Sequence, residues 1–167
     1  MIPRELLGTA PIPGGEELRL FRHGRDFIIA IDRNELMNTR MCGSEQALAT
    51  MTVARLGALS GQRQAPHLLI GGYGMGFTLR AALGVLPADA SVTVAEIVPE
   101  IIDWARGPMA EVTAGCLDDP RVVLVKDDVA MLIDAASDGY DAILLDVDNG
   151  PDGLTRREND ILYSPLG

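Results

Sequence analysis

The chain has 167 residues, 47% of them apolar, and a formal net charge of −10, which predicts one main α/β domain with a sizeable core and a short N-terminal appendage. No cluster of Lys or Arg offsets the acidic balance, which argues against a nucleic-acid partner and favours small cations. No apolar run approaches a membrane span, no signal peptide opens the chain, and Cys42, Cys116, His23 and His67 are isolated, so the expectation is a cytoplasmic protein with no membrane association, metal site or hydrolase triad.

In chain order, residues 17–21 and 27–31 are strand-like runs joined by Arg22-His23-Gly24-Arg25-Asp26, a β-hairpin. Two strands alone are marginal in water, so the hairpin is expected to lean on the main domain or on another subunit. Gly43-Ser44 offers a helix start, and Leu48, Met51, Leu56 and Leu59 are expected to carry the apolar side of the helix that follows. A polar linker, residues 61–66, leads into the first core strand.

That strand, His67-Leu68-Leu69-Ile70, breaks into Gly71-Gly72-Tyr73-Gly74-Met75-Gly76 and then into a helical pattern. Such a turn leaves backbone N–H groups and the positive end of a helix dipole facing a crevice, the arrangement of a nucleotide or nucleoside site. Gly72 and Gly74 are expected to allow a tight turn and close approach of a ligand, and Gly76 to allow close packing of helix on strand. A second buried strand, residues 91–95, ends in Glu96 about 20 residues past the glycines, where a carboxylate can accept both ribose hydroxyl hydrogens. The alternative is an acid capping the helix that Pro99 opens and that runs to about Met109. A third strand, residues 121–126, meets Asp127-Asp128, and a fourth, residues 140–145, meets Asp146-Val147-Asp148-Asn149-Gly150-Pro151. In an open α/β sheet these carboxyl-terminal tips converge on one crevice. The last loop can equally be an Asx-type turn, with Asp148 holding the backbone.

Tips, acids and hairpin together resemble the spermidine synthase family of aminopropyltransferases and, more widely, the Rossmann-like S-adenosylmethionine-dependent methyltransferases, over roughly residues 14–167. The fold implied is a Rossmann-like parallel sheet with helices on both faces, preceded by the hairpin: residues 1–40 form the hairpin segment and 41–167 a nucleoside-binding domain. The resemblance implies a cofactor site at Gly72, Tyr73, Gly74, Gly76, Glu96, Ile97, Asp127 and Asp128, with Glu96 on the ribose and Asp127 on the adenine amino group. The co-substrate implied is S-adenosylmethionine or its decarboxylated form, without metal, and Asp146 matches the catalytic acid. The chain also departs from the family. No acid stands within the glycine loop, Ser44-Glu45-Gln46-Ala47 replaces a Tyr and a Glu, and Asn149 replaces a second loop aspartate. Members continue past the position of Ile161-Leu162-Tyr163 with a helix and further strands, so the nucleoside-binding domain here is expected to be truncated at its C-terminal end and the fourth strand to be a bare apolar edge. The chain is either a fragment or naturally shortened member, or a second chain completes the sheet, for which a homodimer or larger assembly is the expectation.

The leading expectation is a spermidine synthase-like transferase using a small-molecule amine acceptor. The alternatives are a small-molecule methyltransferase and a non-catalytic nucleoside-binding or assembly module. At the residue level, Glu96→Gln is expected to weaken nucleoside binding with little effect on melting.

Overall fold

The computed structural model describes residues 3–13, 16–59, 65–136 and 139–147. Asp148, Asn149, Gly150 and Pro151 of the expected catalytic loop, and the segment around Tyr163, lie outside the described residues.

The expected hairpin is present as β2 (Glu17–His23) and β3 (Asp26–Ile31), turning at Gly24 with φ 65°. The structure adds a strand on each side, β1 (Glu5–Pro11) and β4 (Asn34–Asn38), giving a four-stranded antiparallel sheet in the order β1-β2-β3-β4. The added strands carry weak patterns, because β1 buries little besides Ala10 and β4 is exposed or half-buried throughout. Pairing with the hairpin, not local propensity, makes them strands. Gly8 of β1 lies against the indole of Trp104, which is only 7% exposed; a Cβ at position 8 would stand 2.7 Å from Trp104 Nε1. Ala10, Leu18, Leu20, Phe27, Ile29 and Ile31 join Leu68, Ile70, Val92 and Val94 in one apolar core. The hairpin therefore leans on the main domain.

The first helix, α1 (Gly43–Leu59), starts where Gly43-Ser44 indicates. Its apolar side is shifted from the expected one. Met51 is 71% exposed, whereas Ala49 is fully buried and Leu48, Val53 and Leu56 pack partly buried against the core. Ala49 sits at the centre of the buried side, and Met51, two residues on, falls on the opposite side of the helix.

The main sheet is parallel, in the order β7-β6-β5-β8, built from β5 (His67–Gly71), β6 (Ser91–Ala95), β7 (Val122–Val125) and β8 (Ala142–Leu145). Alternation along β5 sends Leu68 and Ile70 to one face and Leu69 to the other. The first face is covered by α1, by α2 (Phe77–Val85) and by α3 (Pro99–Arg106) through Ala49, Leu79, Ala82, Ile101 and Ile102. The second is covered by α5 (Val129–Ala135), whose Val129, Leu132 and Ile133 meet Leu69 and Ala95. Helices on both faces of a parallel sheet thus match the expectation. The helix opened by Pro99 is shorter than expected: α3 closes at Gly107, and a separate short helix, α4 (Ala110–Thr113), follows. Among the described residues β8 pairs with β5 alone, and Ile143 on it is exposed.

The chain leaves β5 through α2 to reach β6 and β7 on one side, then returns through α5 to place β8 on the other. The carboxyl ends of β5, β6 and β8 therefore flank the point where the strand order reverses, the place where such sheets leave a crevice.

Candidate nucleoside site

The glycine loop is fixed from two directions. The Gly72 N–H donates to the Ala95 carbonyl (2.8 Å) and the Asp146 N–H to the Gly71 carbonyl (2.8 Å), so the tips of β6, β5 and β8 are tied side by side. Gly72 has φ +86°, and a Cβ there would strike the Asp146 carbonyl oxygen, so position 72 admits glycine alone without moving β8. Gly76, with φ +76°, is the N-cap of α2, and a Cβ on it would stand 2.6 Å from the Tyr73 hydroxyl. The space at Gly76 thus accommodates the phenol of Tyr73; close approach of α2 to β5 is not what it serves.

Glu96 is 4% exposed, and its carboxylate accepts the Tyr73 N–H on Oε2 (2.9 Å) and the Val98 N–H on Oε1 (2.9 Å). It therefore ties the glycine loop to the turn that precedes α3. Burial pushes its pKa up, and these backbone hydrogen bonds, with others from Gly74 and Ile97, pull it back toward the ionised form. The ordinary capping alternative is part of the truth, since Glu96 does bond the turn before the helix, but the cap position of α3 is Val98. Held by these backbone donors, Glu96 also lines the pocket.

Asp127 is exposed at the rim and its Oδ1 accepts the Asp128 N–H (2.8 Å). Asp128 is the N-cap of α5, its carboxylate accepting the Ala130 N–H (3.0 Å). The helix cap therefore falls to Asp128, and Asp127 is left to face the pocket. Asp146 sits just past β8, with Oδ2 accepting the hydroxyl proton of Thr78 at 2.6 Å. Burial raises its pKa first, the Thr78 hydrogen bond opposes that, and the charge of Glu45 adds to the rise.

One pocket collects Gly72, Gly74, Glu96, Ile97, Asp127, Asp128 and Asp146. Of the residues expected to bind a co-substrate, Tyr73 and Gly76 are not among its lining residues. The Tyr73 ring is buried beneath the loop, its hydroxyl 3.4 Å from Cys116 Sγ, where desolvation drives the phenol pKa far above its usual range. Two groups were not anticipated from sequence. The opposite wall is apolar and comes from the N-terminal sheet and the turn after β1: Ile12, Pro13, Leu18, Leu36 and Met37. Thr78 is the second, and its signal was available, as a hydroxyl in the first turn of the helix that leaves a glycine loop. Among the described residues the pocket lining includes four carboxylates and no Lys or Arg, a setting that favours a cationic occupant. No His, Cys, Asp or Glu cluster among the described residues has the arrangement to hold a metal ion, and no described helix is long and apolar enough to cross a membrane.

No family model matches the chain. In sequence it is 34% identical to a polyamine aminopropyltransferase of Corynebacterium efficiens over 101 residues, covering 58% of this chain and 19% of that protein. It is 28% identical to the polyamine aminopropyltransferase of Mycobacterium tuberculosis over 135 residues, covering 79% of this chain and 24% of that protein. In structure it superposes on a spermidine synthase from Thermotoga maritima with a TM-score of 0.68 at 20% identity, covering 87% of this chain and 47% of the other. A spermidine synthase in complex with the transition state analogue AdoDATO gives a TM-score of 0.67, covering 84% and 47%. The chain thus spans about half the length of these structural relatives and matches about a quarter or less of these sequence relatives. The chain is thus similar to these proteins in both sequence and fold.

Proposed function

We propose that this chain binds decarboxylated S-adenosylmethionine or a closely related adenosyl sulfonium and transfers its aminopropyl group to a small amine. The observation that carries the reading is the convergence of Glu96, Asp127 and Asp146 from separate strand tips on one pocket beside Gly72 and Gly74. Glu96 lines the pocket where a carboxylate would meet the ribose hydroxyls, Asp127 has a carboxylate at the rim for the adenine amino group, and the acidic lining suits both a sulfonium and an amine. The likeness to polyamine aminopropyltransferases favours aminopropyl over methyl transfer.

In the reaction the amine nitrogen lone pair attacks the carbon bonded to the sulfonium. An N–C bond forms, the C–S bond breaks, and its electron pair stays on sulfur as a neutral thioether. The leaving group is already activated by its charge, so the protein has to align the two reactants and accept a proton from the amine, which passes to the Asp146 carboxylate and then to solvent. Ile12, Leu18, Leu36 and Met37 exclude water from one side of the site.

Calorimetric titration with decarboxylated S-adenosylmethionine, S-adenosylmethionine and methylthioadenosine tests the reading. Tighter binding of the decarboxylated form than of S-adenosylmethionine is expected, because the lining among the described residues offers carboxylates and no basic group to a methionine carboxylate. Preference for S-adenosylmethionine would favour the methyltransferase reading, and no binding of any of the three would favour the assembly module.

A further inference from the structure

We propose that Thr78 is the positioning residue for Asp146, holding one oxygen of that carboxylate so that the other faces the pocket as proton acceptor. The kinetic part of this proposal rests on the aminopropyltransferase reading; the hydrogen bond and its effect on the carboxylate do not. Thr78 is 1% exposed in the first turn of α2, and its hydroxyl donates to Asp146 Oδ2 at 2.6 Å. A threonine in a helix ordinarily turns its hydroxyl back to a carbonyl of the preceding turn. This one reaches across to the end of β8, 68 positions along the chain. The same oxygen lies 3.5 Å from the Glu45 carbonyl in α1.

A hydroxyl has one proton, so it serves one acceptor at a time, and the two distances place it on the carboxylate. Once Asp146 takes up a proton, its own O–H can donate to Thr78 Oγ1, and the threonine proton then has the Glu45 carbonyl to turn toward. The buried hydroxyl thus has a partner in both protonation states. In the ionised state it opposes the desolvation of Asp146, and Asp146 is fixed in place by its N–H on the Gly71 carbonyl. The charges that face this carboxylate are Glu45 on α1 and, around the pocket, Glu96, Asp127 and Asp128. Burial and the Glu45 charge disfavour its ionisation and the Thr78 hydroxyl is the donor that opposes them, which is the help Asp146 needs to act as a base near neutral pH.

The test is a carbon-13 carboxyl titration of Asp146, its signal assigned by loss in Asp146→Asn, in the wild type, Thr78→Val and Thr78→Ser, alongside rate against pH. Thr78→Val keeps the shape and removes the donor. Its Asp146 midpoint is expected to move upward, with the acid limb of the rate profile moving the same way and about a tenfold smaller ionised fraction on the acid side. Thr78→Ser, which keeps the donor, is expected to restore both. An unchanged midpoint in Thr78→Val, or a Thr78→Ser midpoint displaced as far as that of Thr78→Val, would overturn the proposal. Should Thr78→Val not fold, Thr78→Ala is compared with Thr78→Ser in the same way. The titration decides the matter even if the wild type transfers nothing, and a midpoint that moves while Asp146→Asn keeps full activity would leave Thr78 in place and remove Asp146 as the base.

Discussion

Glu96 performs two tasks with one carboxylate, and its replacement should separate them. Its oxygens accept the N–H groups of Tyr73 and Val98, so Glu96→Gln turns an amide NH2 toward one backbone donor. The sequence-based expectation of little effect on melting is therefore revised: the variant should lose about 1–3 kcal/mol of stability as well as nucleoside affinity, the cost of a buried donor left unpaired. Thermal melts alongside methylthioadenosine titration check this, and unchanged melting would mean that the loop does not depend on Glu96. Asp146 predicts the opposite sign. Its pKa is raised in the folded state, so ionisation costs the native state stability; the cost is absent below the ordinary carboxylate pKa and fully present above the folded value. Asp146→Asn should accordingly match the wild type in melting temperature at acid pH and exceed it at neutral pH. A difference independent of pH would show that the carboxylate is not penalised by burial. The position of both acids was legible in the sequence, because each follows an apolar strand. Their partners were not, since the Thr78 to Asp146 hydrogen bond joins residues that only the folded topology brings together.

The parallel strands were legible as elements for a simple reason: they read as short, mainly apolar runs bounded by glycine or acid, and the central pair β5 and β6 is buried on both faces. The strands β1 and β4 were not, because they bury little and owe their form to pairing with the hairpin. The apolar pocket wall went unread with them, as Ile12, Leu36 and Met37 lie at or next to these strands. Docking of this sheet on α3 rests on a contact that only glycine permits at position 8. Gly8→Ala should overpack the site against Trp104 and cost about 1–3 kcal/mol. Because the two sheets share one core, differential scanning calorimetry should show a single transition moved to lower temperature. Two separated transitions in the variant would mean that the sheets unfold independently.

At the scale of the molecule, we propose that a second copy covers β8, which pairs on one side only among the described residues and carries the exposed Ile143. Light scattering at micromolar concentration is expected to give a dimer or larger species; a strict monomer would mean that the edge is protected without a partner. The architecture brings an acidic floor from the parallel sheet against an apolar wall from the antiparallel one, and we propose that this enclosure prepares an amine for attack through Asp146. The most direct measurement is the rate of aminopropyl transfer from decarboxylated S-adenosylmethionine to a set of small amines by the wild type and by Asp146→Asn, with methylthioadenosine binding followed in both. Transfer by the wild type is expected, with a fall of roughly 10²–10⁴ in the variant and thioether affinity within a few-fold. Full transfer by Asp146→Asn, or none by the wild type with any amine, would contradict the proposal.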